Sequence, residues 1–193
     1  MTEGTKSYLV GCHHFVMHPL QVARAWRQEY RRWPDWVETV CIFFHDAGIC
    51  GRQYLSDDRA KFGHWRSGAI RAKHLVRIVC RLLKKSDSER AILSQRAFDL
   101  CAGHCPSESA HRESMLFRAD KRSWLVAPMW WLWWSYYIEW HGKGIGVTRP
   151  PEWKRIVAEN LKREKPLGSH ELYRRHRKAQ SYGTLKGGGP IVR

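Results

Sequence analysis

The segment Trp36-Val37-Glu38-Thr39-Val40-Cys41-Ile42-Phe43-Phe44 constrains this chain more than any other. It is apolar on most sides of a helix, so it belongs at the centre of a structure with other helices around it. Its boundaries are marked. Pro34 ends what precedes it, and Asp35 with Glu38 three residues later forms a capping box that opens a helix. The run closes at His45-Asp46-Ala47-Gly48, with Gly48 as the expected helix terminator. An imidazole and a carboxylate side by side at the end of so apolar a helix are costly to bury unless both are satisfied.

The other apolar runs share this helical spacing and none alternates convincingly with a period of two, which predicts an all-α fold. Leu20, Ala23 and Trp26 predict a helix from Pro19 to Arg32. After a polar loop over 49–62, a helix from Trp65 to Leu83 is expected to present Ala69, Leu75, Val79 and Leu82 on one face. Ser86 and Glu89 form a second capping box, opening a helix to Ala102. Residues 103–109 read as a loop, and a helix through Met115, Leu116 and Ala119 carries Asp120. Pro128 opens an aromatic helix ending at Trp140 or His141. Beyond a linker from Gly142 to Pro151, Glu152 to Arg163 forms a last amphipathic helix. The expected organisation is a helical domain over 1–165 and a basic, disordered tail over 166–193.

Composition narrows the function. With 43% hydrophobic residues in 193, the chain has material for one packed core, which excludes a wholly disordered protein, a collagen and a small disulfide scaffold. Six cysteines without a CxxC pair read as reduced thiols, and the start lacks the pattern of a secretory signal, so a cytoplasmic location is expected. The net charge of +16 points to polyanionic partners: nucleotides, nucleic acid or an anionic membrane. From Lys162 onward nine Lys and Arg stand against two Glu, so the tail is expected to add weak, salt-sensitive attraction to polyanions. The segment Trp124–Trp140 holds six Trp and two Tyr in 17 residues. It is too short and too interrupted to span a bilayer, and is read as a helix covering the bundle rather than as an interfacial anchor.

The polar residues at the ends of these apolar helices carry the chemistry. His45 and Asp46 close the central helix, Asp120 sits at the edge of another apolar run, and His18 stands where the first helix begins. In a bundle these four can converge, and a divalent cation would satisfy all of them. Nitrogen and oxygen ligands suit Mn, Fe, Co, Ni, Zn or Mg.

These motifs, His18-Pro-Leu-Gln-Val-Ala, Phe43-Phe44-His45-Asp46-Ala47-Gly48 and Arg118-Ala119-Asp120-Lys121, resemble the HD-domain superfamily of metal-dependent phosphohydrolases. The resemblance implies an HD-type helical bundle in which His18, His45, Asp46 and Asp120 hold one ion, with Asp46 also catalytic. Two further segments, Gly63-His64-Trp65-Arg66-Ser67-Gly68-Ala69 and Gly103-His104-Cys105, resemble elements of its two-metal branch. There Asp46 would bridge to a second ion completed by His64 and His104, so one or two ions are expected. Cys105 stands where the cyclic-dinucleotide phosphodiesterases of the family carry a second histidine, which argues against that particular substrate.

Positive charge for a substrate's remaining phosphoryl oxygens is expected from Lys121, Arg52 and Arg66, which neighbour the motif residues, with Lys121 foremost. His13 and His14 lie just before the first ligand and are read as surface residues or as lining the pocket mouth. The expected activity is metal-dependent hydrolysis of a nucleotide or other small phosphate ester. Two other classes stay open: a di-iron oxygenase similar to myo-inositol oxygenase, and a basic protein binding nucleic acid or membrane surfaces with a degenerate metal site.

Overall fold

The computed structural model describes residues 1–52, 63–140 and 149–163. Among these the chain forms α1 (Glu3–Val10), α2 (Met17–Tyr30), α3 (Trp36–Phe44), α4 (His64–Leu82), α5 (Asp87–Ala102), the single turn α6 (Pro106–Ser109), α7 (Met115–Val126), α8 (Met129–Ser135) continuing into a π-helical turn (Tyr136–Trp140), and α9 (Pro150–Arg163). There is no strand among the described residues, so the fold is all-α as expected. Most of the polar loop, most of the linker and the whole basic tail over 166–193 lie outside the described residues. No described helix is long and apolar enough to cross a membrane.

Helix α3 occupies the centre and packs against α2, α4, α5 and α7. Val37, Cys41 and Ile42 meet Val22 and Trp26 of α2, Ala69, Ala72, Val76 and Cys80 of α4, Ala97, Leu100 and Cys101 of α5, and Leu116 and Ala119 of α7 in one core. Burying Trp26 alone is worth about 3 kcal/mol. Both capping boxes form as the spacing predicts, at Asp35/Glu38 and at Ser86/Glu89. Glu38 does more than cap. Its buried carboxylate also takes two bonds from Arg32, at 2.6 and 2.7 Å, and one from Arg96 at 2.7 Å, which locks the start of α3 to α5.

Helix α4 buries only part of the expected face. Ala69, Ala72, Val76 and Cys80 face the core, whereas Leu82 is 77% exposed. The reason is proximity: α5 and α3 lie so close that only small side chains fit between, and the larger Leu75 and Val79 sit at the margin. The closest approach is made through two glycines. A Cβ on Gly68 of α4 would collide with the Phe44 and His45 carbonyls, and a Cβ on Gly48 would collide with the backbone of His64. Gly48 is therefore not a left-handed helix cap. Helix α3 ends a turn earlier, at Phe44, and Gly48 serves to let α4 cross directly over the His45-Asp46 turn.

Helix α7 is tied to α2 by Glu29, which receives Arg118 Nε at 3.0 Å and Arg122 Nη1 at 2.9 Å. This holds Asp120, between the two arginines, against the bundle. The aromatic helix α8 covers the bundle in part. Trp131 and Leu132 are buried with Ala127 against Met17 and Trp124, and Trp124 meets Trp153 of α9 edge to face. Its outer side, expected to pack beneath the last helix, instead leaves Trp130, Trp134 and Tyr137 exposed.

Candidate metal centre

His18 lies in the first turn of α2, His45 caps α3, Asp46 follows in the next turn, and Asp120 sits midway along α7. The packing just described brings their polar atoms to one point. His18 Nε2 is 3.2 Å from Asp46 Oδ2, 3.1 Å from Asp120 Oδ1 and 3.2 Å from His45 Nε2. His45 Nε2 is 3.2 Å from the same Asp46 oxygen and 3.7 Å from Asp120 Oδ1. Donors held about 2.0–2.2 Å from one ion stand about 3.0–3.6 Å apart, so this spacing matches the edges of a coordination polyhedron.

The other oxygen of Asp46 faces a second group. Asp46 Oδ1 is 3.8 Å from His64 Nε2 and 3.6 Å from His104 Nε2. His64 opens α4 directly above Gly48, and His104 follows the last turn of α5. The segment after His104 is fastened back to that helix by Ser109 Oγ, which donates to the Ala102 carbonyl at 2.7 Å, and by Ser114 Oγ, which donates to the Leu100 carbonyl at 2.8 Å. All six residues expected at the site are thus brought together, and all are buried.

Two of the histidines are also set in tautomer. His45 Nδ1 donates to the Ile42 carbonyl at 2.8 Å, and His104 Nδ1 donates to the Cys101 carbonyl. With the ring proton used there, each Nε2 turns a lone pair toward Asp46, the arrangement metal-bound histidines adopt. His104 Nε2 is buried and has no hydrogen-bond partner among the described residues. An orphaned lone pair costs free energy in an interior, and a cation is the partner its surroundings suit. The residues present therefore fit a divalent metal.

The electrostatics fit as well. Burial opposes a charged imidazole at His45, but the Asp46 and Asp120 carboxylates outweigh it and hold the ring well above its usual range. His18 is raised in the same way. Burial likewise opposes charge on Asp46 and Asp120, yet the surrounding histidines keep both carboxyls well below theirs. His104 behaves differently: burial pushes it down.

The expected substrate contacts divide. Lys121 Nζ lies 3.7 Å from Asp120 Oδ2, half exposed at the edge of the site, with its charge favoured by that carboxylate. Arg52 Nε donates to the Gly48 carbonyl at 3.2 Å, beside the site's turn rather than at the ligands. Arg66 is exposed one turn into α4, and no described contact joins it to the cluster. Trp65 packs against Phe98 and His111 as part of the bundle wall. Of the two leading histidines, His13 reaches the site, its ring 5.9 Å from that of His18, whereas His14 stacks on Phe15 and meets Trp131 edge to face.

Sequence reasoning missed one neighbour, Arg71, and noted Cys105 as a departure from the family's second histidine. Arg71 Nη1 donates to the Ala47 carbonyl at 3.3 Å; it lies seven residues, two helical turns, beyond His64, a spacing that pointed to it. Cys105 places its Sγ 3.5 Å from His64 Nε2. A separate group formed by Cys12, His13 and Glu139 is satisfied internally: the Cys12 amide and thiol both donate to Glu139, and Ser7 Oγ lies 2.8 Å from His13 Nδ1. No family model, curated protein or solved structure matches the chain.

Proposed function

We propose that the chain is a metal-dependent phosphohydrolase of the HD type, acting on a nucleotide or other small phosphate ester. One observation carries this reading: the carboxylate of Asp46 turns one oxygen to His18 and His45 and the other to His64 and His104. That is the donor arrangement for two adjacent ions sharing a bridge. Divalent ions so placed lower the pKa of a coordinated water and polarise a phosphoryl oxygen.

The protein's own part is positioning. The carbonyls of Ile42 and Cys101 hold the His45 and His104 rings in the ligating tautomer. Asp120, free of its neighbouring arginines because Glu29 takes both, completes the first half of the site. Lys121 supplies a cation at the rim for a substrate oxygen outside the metal's reach. Burial of the six ligand residues limits the bulk water that competes with these contacts.

The test is elemental analysis of the purified chain together with a phosphate-release screen over nucleoside mono-, di- and triphosphates and generic phosphodiesters. One or two ions per chain are expected, with phosphate release that a chelator abolishes. Bound iron with oxygen consumption and no phosphate release would transfer the site to di-iron oxygenase chemistry. Absence of any tightly bound metal would leave a binding protein.

A further inference from the structure

The second half of the site holds a donor that nitrogen and oxygen chemistry does not account for. Cys105 follows His104 directly, and its Sγ stands 3.5 Å from His64 Nε2. The ligand atoms of His64, His104 and Cys105 all lie within 4.8 Å of one another. Asp46 Oδ1, at 3.8 Å from His64 Nε2 and 3.6 Å from His104 Nε2, adds a carboxylate oxygen beside the two histidines. Four donors about an ion, with metal–nitrogen and metal–oxygen bonds of about 2.0–2.2 Å and a metal–sulfur bond of about 2.3 Å, stand about 3.4–3.7 Å apart in a tetrahedron. The observed separations sit near that range, and they are wider than the 3.1 and 3.2 Å that His18 makes with Asp120 and Asp46. The orphaned Nε2 of buried His104 points to a missing partner on this side.

We propose that Cys105 is a thiolate ligand which, with His64, His104 and the Oδ1 of Asp46, makes the second half of the centre a four-donor site for a thiophilic divalent ion such as Zn²⁺ or Co²⁺. This rests on the metal-centre reading above and divides its two halves by chemistry. His18, His45, Asp120 and Asp46 Oδ2 offer only nitrogen and oxygen, which also accept Mn²⁺ or Mg²⁺. The sulfur side rejects those hard ions. Its tetrahedron is closed by protein, so substrate and attacking water belong to the other half.

Cobalt titration of the full chain tests the assignment without reference to activity. Co²⁺ bound by a thiolate gives a near-ultraviolet charge-transfer band, and tetrahedral Co²⁺ gives intense visible bands. Wild type is expected to show both, and Cys12→Ser, which removes the thiol of the neighbouring His13–Glu139 group, is expected to keep them. Cys105→Ser should lose the charge-transfer band and bind its second Co²⁺ about 10–100-fold more weakly. Cys105→His should recover binding without that band, and His18→Ala should keep the band while losing the other ion. Far-ultraviolet circular dichroism checks that each variant is folded. Two bound Co²⁺ ions with no charge-transfer band, or a band that survives Cys105→Ser, would overturn the cysteine assignment and leave the metal centre standing. No bound Co²⁺ in wild type would overturn the metal-centre reading itself, and this proposal with it.

Discussion

The two sides of Asp46 are built from different parts of the molecule. On one side His18, His45 and Asp120 come from α2, α3 and α7, whose neighbouring residues Val22, Ile42 and Ala119 form the core itself. On the other, His64 stands at the first residue of α4, and His104 and Cys105 lie between α5 and the single turn α6. The first side is held by packing. The second is held by local backbone contacts: Gly48 beneath His64, and the Ser109 and Ser114 hydroxyls around His104. Stability of the bundle thus secures one half of the centre, while the other depends on how a helix start and a helix end are finished.

Removing the shared carboxylate should erase the difference. Asp46→Ala is expected to lose both ions and to lower phosphate release on the order of a thousandfold or more, with helical content retained. Elemental analysis and circular dichroism on one sample check this; activity surviving at the wild-type level would dismiss the bridging role. Removing one ligand from each side should separate them. His18→Ala is expected to leave about one ion fewer per chain and a lower melting temperature, because its ring is packed in the bundle. His64→Ala should lose the other ion, with affinity down about 10–100-fold, and lower the melting temperature by less than His18→Ala does. Equal thermal shifts in the two variants would contradict the comparison.

Acid provides a third distinction. A histidine whose pKa is raised takes up a proton at a higher pH, so protons displace its metal earlier as pH falls. His18 and His45 are raised by Asp46 and Asp120, whereas His104 is lowered by burial. Dialysis at stepped pH followed by elemental analysis is expected to show loss of the first-side ion at a higher pH than loss of the second-side ion. Simultaneous release would join the two halves into one unit. The smallest expected effect is that of Lys121→Met, which should raise KM for a phosphate ester about tenfold while leaving metal content unchanged. A change in bound metal would instead make Lys121 a support for Asp120.

The same contrast explains what was legible in the sequence. Helix α3 and its His-Asp terminus could be read because capping box, apolar run and polar stop are all local signals. Helix α1 could not: its eight residues include Gly4 and have no apolar repeat, and it is held by distant contacts such as Gly4 N–H to the Arg52 carbonyl at 2.9 Å. The buried face of α4 was misread in part because large side chains such as Leu82 dominate hydropathy, whereas close helix packing selects Ala72 beside the expected Ala69. The π-helical turn at Tyr136–Trp140 was invisible for a similar reason, since it carries Glu139 inward to Cys12, 127 residues away. At the site, all six motif residues were found in order, while Cys105 as a neighbour of His64 depends on how α4 crosses α5.

The two tautomer-setting bonds carry a further consequence. His45 and His104 each donate to the carbonyl three residues earlier, at the last turn of α3 and of α5. Those carbonyls belong to the last turn of each helix, where the regular amide four residues on is missing; Cys101's also takes the His104 amide at 3.3 Å. On the metal-centre reading proposed above, the same imidazole seals a helix terminus with one nitrogen and faces the ion with the other. Fraying of either final turn unlatches a ligand, and a bound ion resists that fraying. Hydrogen exchange at these two helix ends and metal affinity are in this way two readings of one local equilibrium, so the centre acts as a clasp on the bundle as well as a place for chemistry.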